Sequence, residues 1–192
     1  MKIEIKHKLT SEVLFSCEAD SLKIAVELAV KAGANLKGAN LKGAYLEWAN
    51  LKGANLKGAY LKGANLKGAY LEWANLEWAH LERADLVGAH LVGAHLVGAN
   101  LVGAYLEEAN LEEANLEGAN LVGANLDYTA IPMWCGSFGV KVDFRIVCQM
   151  LLHVFAVDCY DKRFLLVKKA IQKYAKLSDK WHYLERKLKE KP

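Results

Sequence analysis

The sequence is poor in proline and has no long apolar run. Only two of its 192 residues are proline, which argues against a disordered chain, since such chains are enriched in proline. No apolar stretch approaches the ~20 residues of a membrane-spanning helix. The first residues alternate apolar with charged side chains and lack the apolar core of a secretory signal. We therefore expect a cytoplasmic protein with no membrane span.

Cysteine is missing from the middle of the chain, residues 34–128, and all four cysteines lie outside it. Because we recognise no secretory leader, we interpret them as reduced, mostly buried small side chains and not as a disulfide framework. A zinc site is an alternative for Cys135, Cys148, His153 and Cys159. However, positions 148 and 153 would lie about 140° apart around a helix. We therefore expect no metal there.

The middle of the chain is a repeat of five residues. Leucine recurs at every fifth position from Leu36 to Leu126, which makes nineteen units, and alanine stands two residues before each leucine. In a helix, successive leucines would drift by about 140° around the surface, and in a plain strand they would alternate between the two faces. A short strand followed by a corner in every five residues points all leucines and alanines inward. The spacing therefore predicts a β-solenoid.

These repeats, from residues 34–38 through residues 124–128, resemble the pentapeptide-repeat family, although several positions usually occupied by Asn or Asp hold Tyr or His. The resemblance implies a right-handed quadrilateral β-helix with four repeats per coil. Nineteen units would then form about 4.75 coils, roughly 23 Å long at ~4.8 Å per layer. Residues twenty apart would stack, and the interior would hold columns such as Leu36, Leu56, Leu76, Leu96 and Leu116, with Ala34, Ala54 and Ala74 beside them.

The flanking segments are predicted to cap the all-β solenoid. Residues 1–33 are predicted to form an N-terminal cap, with strands at 3–6 and 13–15 followed by a helix at 22–32. Asp20 or Ser21 caps the start of this helix, and Gly33 ends it.

Residues 129–192 are predicted to form an α-helical cap and dimerisation region. A helix over 143–157 is apolar nearly all round, which requires burial on every side. A second, amphipathic helix begins near Asp161 and carries lysines opposite an apolar stripe. This excess of apolar helix surface predicts a homodimer through the C-terminal helices.

Four large residues stand at corner positions of the repeats. In the twenty-residue stacking each has glycine neighbours, and we expect the large side chains to lie across these glycines. Surface packing explains such residues, and a sugar- or partner-binding aromatic patch is the functional alternative. The residues are Trp48, Trp73, Trp78 and Arg83.

Catalytic and metal-binding residues are not brought together by the stacking. His80, His90 and His95 lie near Asp85 in sequence, but none of the histidines stacks on another, and His80 and His90 fall on opposite faces. The glycines precede alanine and do not form a phosphate-binding loop. Paired glutamates at 107–108 and 112–113 are predicted to point outward into solvent, which is not the environment of a general acid or base. We predict no enzyme, no cofactor and no metal.

Charge is unevenly distributed, with about +5 in residues 34–70, −9 in residues 71–128 and +7 in residues 129–192. The resemblance implies one specific alternative function, that of a DNA-mimicking protein that binds DNA gyrase. The acidic stretch, however, spans under three coils, and we do not expect nucleic acid to be a partner either.

The prediction is a non-enzymatic scaffold or protein-interaction module whose partner the sequence does not name. The alternatives are the gyrase binder and a zinc-binding C-terminal module. Because the Ala/Leu pairs never vary, recent duplication or a consensus-like, engineered scaffold is a further interpretation.

Overall fold

The computed structural model describes residues 1–130 and residue 140. It begins with strand β1 (Lys2–Lys6), strand β2 (Val13–Glu18) and helix α1 (Leu22–Lys31). These elements lie where the sequence predicts them, although β2 continues three residues further than predicted. The predicted C-terminal helices and Cys135, Cys148, His153 and Cys159 lie outside the described residues. Within the described residues, no helix is long and apolar enough to cross a membrane.

Strands β1 and β2 form an antiparallel hairpin in which Ile5 pairs with Phe15. Ile5 is the buried residue of this hairpin, with 2% of its surface exposed. On the exposed side, hydrogen bonds from the ammonium groups of Lys2 and then Lys6 hold the pKa of Glu4 below its ordinary value. The hairpin therefore has one face toward the interior and one charged face.

Helix α1 is capped by Ser21, whose hydroxyl oxygen accepts a hydrogen bond from the Ile24 N–H at 3.3 Å. Its buried side chains are Ala25, Val26 and Ala29, at one helical face. Gly33 follows the helix in a left-handed conformation (φ 68°). The cap and the terminating glycine are those that the sequence predicts, because both depend on local chemistry.

From Asn40 to Ala130 the chain is a stack of coils joined by parallel bridges between residues twenty apart. Tyr60, for example, bridges Asn40 on one side and His80 on the other. The Tyr60 N–H donates to the Ala39 carbonyl, and the Leu61 N–H donates to the His80 carbonyl, both at 2.8 Å. Four repeats therefore complete one coil, and the predicted stacking distance of twenty residues is confirmed.

The interior of the stack is apolar and closely packed. Every leucine of the repeat is 0–1% exposed, including the column Leu36, Leu56, Leu76, Leu96 and Leu116. Full burial of one leucine stabilises a fold by about 1.5–3 kcal/mol, so these columns supply the main driving force. Ala54 and Ala74 are buried beside them. Ala34 is half-buried, because it opens the stack and no coil precedes it.

The hairpin is bonded to the first coil. His7 forms an antiparallel bridge with Ala39, the Lys8 N–H donates to the Gly38 carbonyl, and the Asn40 N–H donates to the Lys6 carbonyl, each at 2.8 Å. An open solenoid end exposes unpaired backbone groups that would otherwise template association. The hairpin occupies several of these groups on one side of the first coil.

Candidate functional site

The second residue after each repeat leucine forms a corner in the left-handed backbone region. All nineteen corner residues have φ between 56° and 72°, and twelve of them are glycine. Glycine adopts this conformation without steric cost, whereas other residues pay for the contact between Cβ and the backbone. The repeat therefore favours glycine at every corner.

Seven corners nevertheless carry a side chain. A non-glycine residue in this region costs about 1–2 kcal/mol, and a bulky one is a genuine outlier. Such outliers cluster at functional sites. The seven residues are Trp48, Trp73, Trp78, Arg83, Glu108, Glu113 and Tyr128.

Each corner tryptophan covers the glycine twenty residues later. A Cβ added to Gly93 would lie 2.5 Å from the Trp73 ring, and a Cβ added to Gly98 would lie 2.5 Å from the Trp78 ring. The Trp48 ring contacts Gly68 in the same way. The prediction that these rings lie across glycine is confirmed, and the structure adds the direction, which is always toward the following coil.

The covering contact leaves most of each indole in solvent. Trp48, Trp73 and Trp78 remain 58%, 60% and 60% exposed. Arg83 is also exposed, and its Cγ lies 3.5 Å from the position of a Cβ at Gly103. The remaining 40% or so of each tryptophan is buried, and at ~25 cal/mol per Å² this burial is worth about as much as the backbone strain of about 1–2 kcal/mol.

Trp73 and Trp78 occupy neighbouring corners and flank one side of the solenoid. Asn75 lies between the two corners, and His95 lies one coil further along the same side. The rings extend over Gly93 and Gly98, which precede and follow the exposed His95. This side therefore carries a polar strip between two exposed indoles. Trp48 lies in the preceding coil, and its column of corners is the one directly before the column of Trp73.

The histidines lie on different sides, and two of them stack on tyrosine. Tyr60 and His80 have ring centroids 4.3 Å apart, and Tyr70 and His90 have centroids 5.0 Å apart. No group of three potential metal ligands forms in residues 1–130 and 140. Our sequence reasoning missed these stacks, although the spacing of twenty from tyrosine to histidine would have revealed them.

Several carboxylates are engaged by residues of an adjacent coil. Glu72 pairs with Lys52 at 2.9 Å, and Glu77 pairs with Lys57 at 2.6 Å. The Asn100 amide donates to Glu82 at 2.7 Å. In the same way the Asn65 amide donates to Glu47, and the Asn125 amide donates to Glu107.

The paired glutamates differ from each other in exposure. Glu107 is half-buried and accepts a hydrogen bond, whereas the sequence predicted that it points into solvent. Glu108, Glu112 and Glu113 are exposed.

A β-solenoid with five-residue repeats, an apolar leucine interior and solvent-exposed corners defines the class of this protein. The model of the pentapeptide repeats family matches residues 32–68, 69–107 and 99–130, with eight copies. Together these matches cover just over half of the chain. The chain belongs to the pentapeptide-repeat family.

Solved pentapeptide-repeat structures resemble part of the chain. The protein Rfr23 from the cyanobacterium Cyanothece 51142 is 43% identical, with 50% of this chain and 61% of that chain covered and a TM-score of 0.43. HetL from Nostoc sp. strain PCC 7120, which is involved in heterocyst differentiation regulation, is 29% identical over 56% and 65% of the two chains, with a TM-score of 0.30. The chain thus covers less than two thirds of either protein.

QnrB1, a plasmid-mediated fluoroquinolone resistance protein, is 18% identical, with 62% of this chain and 67% of that chain covered and a TM-score of 0.35. No curated protein matches the chain.

Proposed function

We propose that this protein is a non-enzymatic, cytoplasmic scaffold that binds another protein through its corner tryptophans. The contact surface comprises Trp48, Trp73 and Trp78, with Arg83 beside them. The observation that supports it is the exposure of large apolar side chains at strained corners: three tryptophans adopt φ of 57–58° and remain about 60% exposed. Glycine would adopt the same corner conformation without this strain.

The chemistry of these residues favours a protein partner. Tryptophan and arginine are enriched among the residues that carry most of the binding energy in protein interfaces. The adjacent carboxylates Glu72 and Glu77 are neutralised by lysines of the preceding coil. The indoles therefore stand in surroundings of low net charge, where apolar contact decides binding.

Substitution of Trp73 and Trp78 by glycine tests this proposal. Trp73→Gly/Trp78→Gly removes two indoles, and it relieves strain at two corners while losing a comparable amount of burial, so the free energy of unfolding should change little. Proteins captured from a cell lysate by the wild-type chain should be lost with this variant. Glu113→Gly is the matched control, because it relieves the same strain (φ 58°) and keeps both indoles. Equal capture by all three proteins would refute the proposal.

We also propose that residues 129–192 form the dimerisation region. The support is the predicted apolar helix at 143–157, whose surface requires burial. Light scattering of the full chain in high salt should give twice the 21.3 kDa chain mass. A mass of one chain at every concentration would contradict this.

The alternative function is a DNA-mimicking binder of gyrase. In its favour are the exposed carboxylates of Glu108, Glu112, Glu113 and Glu117. Against it, other acids of the solenoid are bonded to lysine or asparagine, so the free acidic surface is short. Inhibition of gyrase supercoiling by micromolar protein would favour this alternative. Metal content of the purified protein tests the remaining alternative, a zinc-binding C-terminal module.

A further inference from the structure

Stacking in coils of twenty residues sorts charges into vertical columns, and columns with opposite charges pair internally. Lys52 stands twenty residues before Glu72, and Lys57 stands twenty residues before Glu77; both pairs form salt bridges at 2.9 Å and 2.6 Å. Where lysine and glutamate are stacked neighbours, the solenoid can thus neutralise its own charge.

A basic face is neutralised only in part: Lys57 is paired with Glu77, whereas Lys62, which stands twenty residues before Glu82, is not paired with it. This face is the side that carries Asn40 and Tyr60, with Lys37 and Lys57 along one edge and Lys42 and Lys62 along the other. Lysine here stacks on lysine, which is unfavourable. Lys37, Lys42 and Lys62 are exposed and form no ion pair within the described residues. Lys8 of the N-terminal segment adds a further ammonium group, 5.8 Å above the Tyr60 ring.

An acidic face lies on the opposite side, toward the other end. It is the side that carries Asn110. Asn110 lies ten residues after Asn100, which belongs to the column of Tyr60, and ten residues are two of the four sides of a coil. Glu107 and Glu108 border one edge, and Glu112 and Glu113 border the other. Glu108, Glu112 and Glu113 are exposed and form no ion pair in the part of the chain that the structure describes.

Valines separate the two faces. Val87 and Val92 occupy the positions twenty residues before Glu107 and Glu112, where lysine would have neutralised the acids. Val97 and Val102 follow at the next two repeats, so one full coil has valine directly after each of its four leucines. Glu108 and Glu113 stand twenty residues after Gly88 and Gly93, so the preceding coil offers none of the four acids a positive partner.

We propose that the occupant of the basic face is the acidic face of a second copy of this chain. Because the two faces lie on opposite sides, simple sideways translation of one solenoid brings them together. The face centres are about sixty residues, or three layers, apart, so the second copy is displaced by roughly 14 Å along the axis. The acidic face spans one layer, around Asn110, and the basic face spans two, around Asn40 and Tyr60, so this displacement places the acidic layer of one copy midway between the two lysine layers of the other.

This contact is heterologous and does not close, so it adds copies in an open row. Exposed ion pairs are individually weak and are screened by salt, because the Debye length falls from ~10 Å at 0.1 M to ~3 Å at 1 M. The row should therefore form at low ionic strength and dissociate as salt is added. The apolar dimer contact proposed for residues 129–192 should persist, which separates the two associations.

Sedimentation of the full chain with two charge-reversal variants tests the proposal. Lys37→Glu/Lys42→Glu/Lys62→Glu makes both faces acidic, and Glu108→Lys/Glu112→Lys/Glu113→Lys makes both faces basic. Each variant alone should lose salt-sensitive association by about tenfold or more, since like charges now meet. An equimolar mixture should recover it, because the reversed faces are complementary. Unchanged thermal unfolding of each variant shows that both remain folded.

Three results would overturn the proposal. The first is a wild-type mass that does not change with salt, and the second is a mixture that associates no better than its components. The third is a wild-type chain that does not self-associate but binds random duplex DNA through the same lysines. That result would assign the basic face to nucleic acid.

Discussion

Single leucine side chains carry the stability of the solenoid. Leu81 lies near the middle of the stack and is 0% exposed. Replacement by alanine removes buried methyl groups and leaves a cavity that the neighbouring coils cannot fill. We expect Leu81→Ala to lower the free energy of unfolding by about 2–5 kcal/mol in denaturant titration. Lys62→Ala, at an exposed position, is the control and should change it by under about 0.5 kcal/mol.

Corner glycines differ according to the residue that stands one coil before them. Gly58 and Gly98 have nearly the same φ, 64° and 65°, but only Gly98 lies beneath an indole. Gly58→Ala should cost about 1 kcal/mol from the backbone alone. Gly98→Ala should cost about 1 kcal/mol more, because the new Cβ collides with the Trp78 ring. Unfolding in denaturant measures both.

The Trp78→Gly background provides the control for this comparison. Without the indole, Gly98→Ala and Gly58→Ala should have the same cost. A persistent difference between them would show that the extra cost does not come from the ring contact.

At the scale of elements, helix α1 depends on its first residue. The Ser21 hydroxyl oxygen accepts the Ile24 N–H, and alanine leaves that donor without its partner. Ser21→Ala should destabilise the helix by about 1 kcal/mol, measured as faster hydrogen exchange of the α1 amides. Ser16→Ala, at an exposed position in β2, should leave the exchange of α1 unchanged. Equal acceleration by both variants would exclude a capping role.

Elements were predictable where neighbours in sequence decide them. The hairpin, the helix and its caps follow from alternation, an N-terminal serine and a terminal glycine. The bonds from Lys8 and Lys6 to Gly38 and Asn40 were not predicted. They join segments about thirty residues apart, and a pattern of neighbouring residues does not predict which distant segments pair.

At the scale of the whole molecule, stacked like charges should govern the response to salt. Lys42 stacks on Lys62, and repulsion within such columns is screened as ionic strength rises. The melting temperature should therefore increase from low to moderate sodium chloride when it is measured in a sample dilute enough to exclude the proposed self-association. Lys42→Glu replaces repulsion by attraction and should stabilise the fold by about 0.2–1 kcal/mol, with a smaller response to salt. A melting temperature that falls with salt in both proteins would contradict this explanation.

The five-residue period by itself determined the β-solenoid and its leucine interior, because a corner in every five residues keeps every leucine inward. The resemblance to the pentapeptide-repeat family added the coils of twenty residues, which place each tryptophan in a column with glycine. The tertiary structure alone decided that the indoles extend toward the following coil and that Glu107 is bonded to Asn125. The period specifies which column a residue occupies. The direction of its side chain along the axis depends on contacts between coils, which form only when the chain has folded.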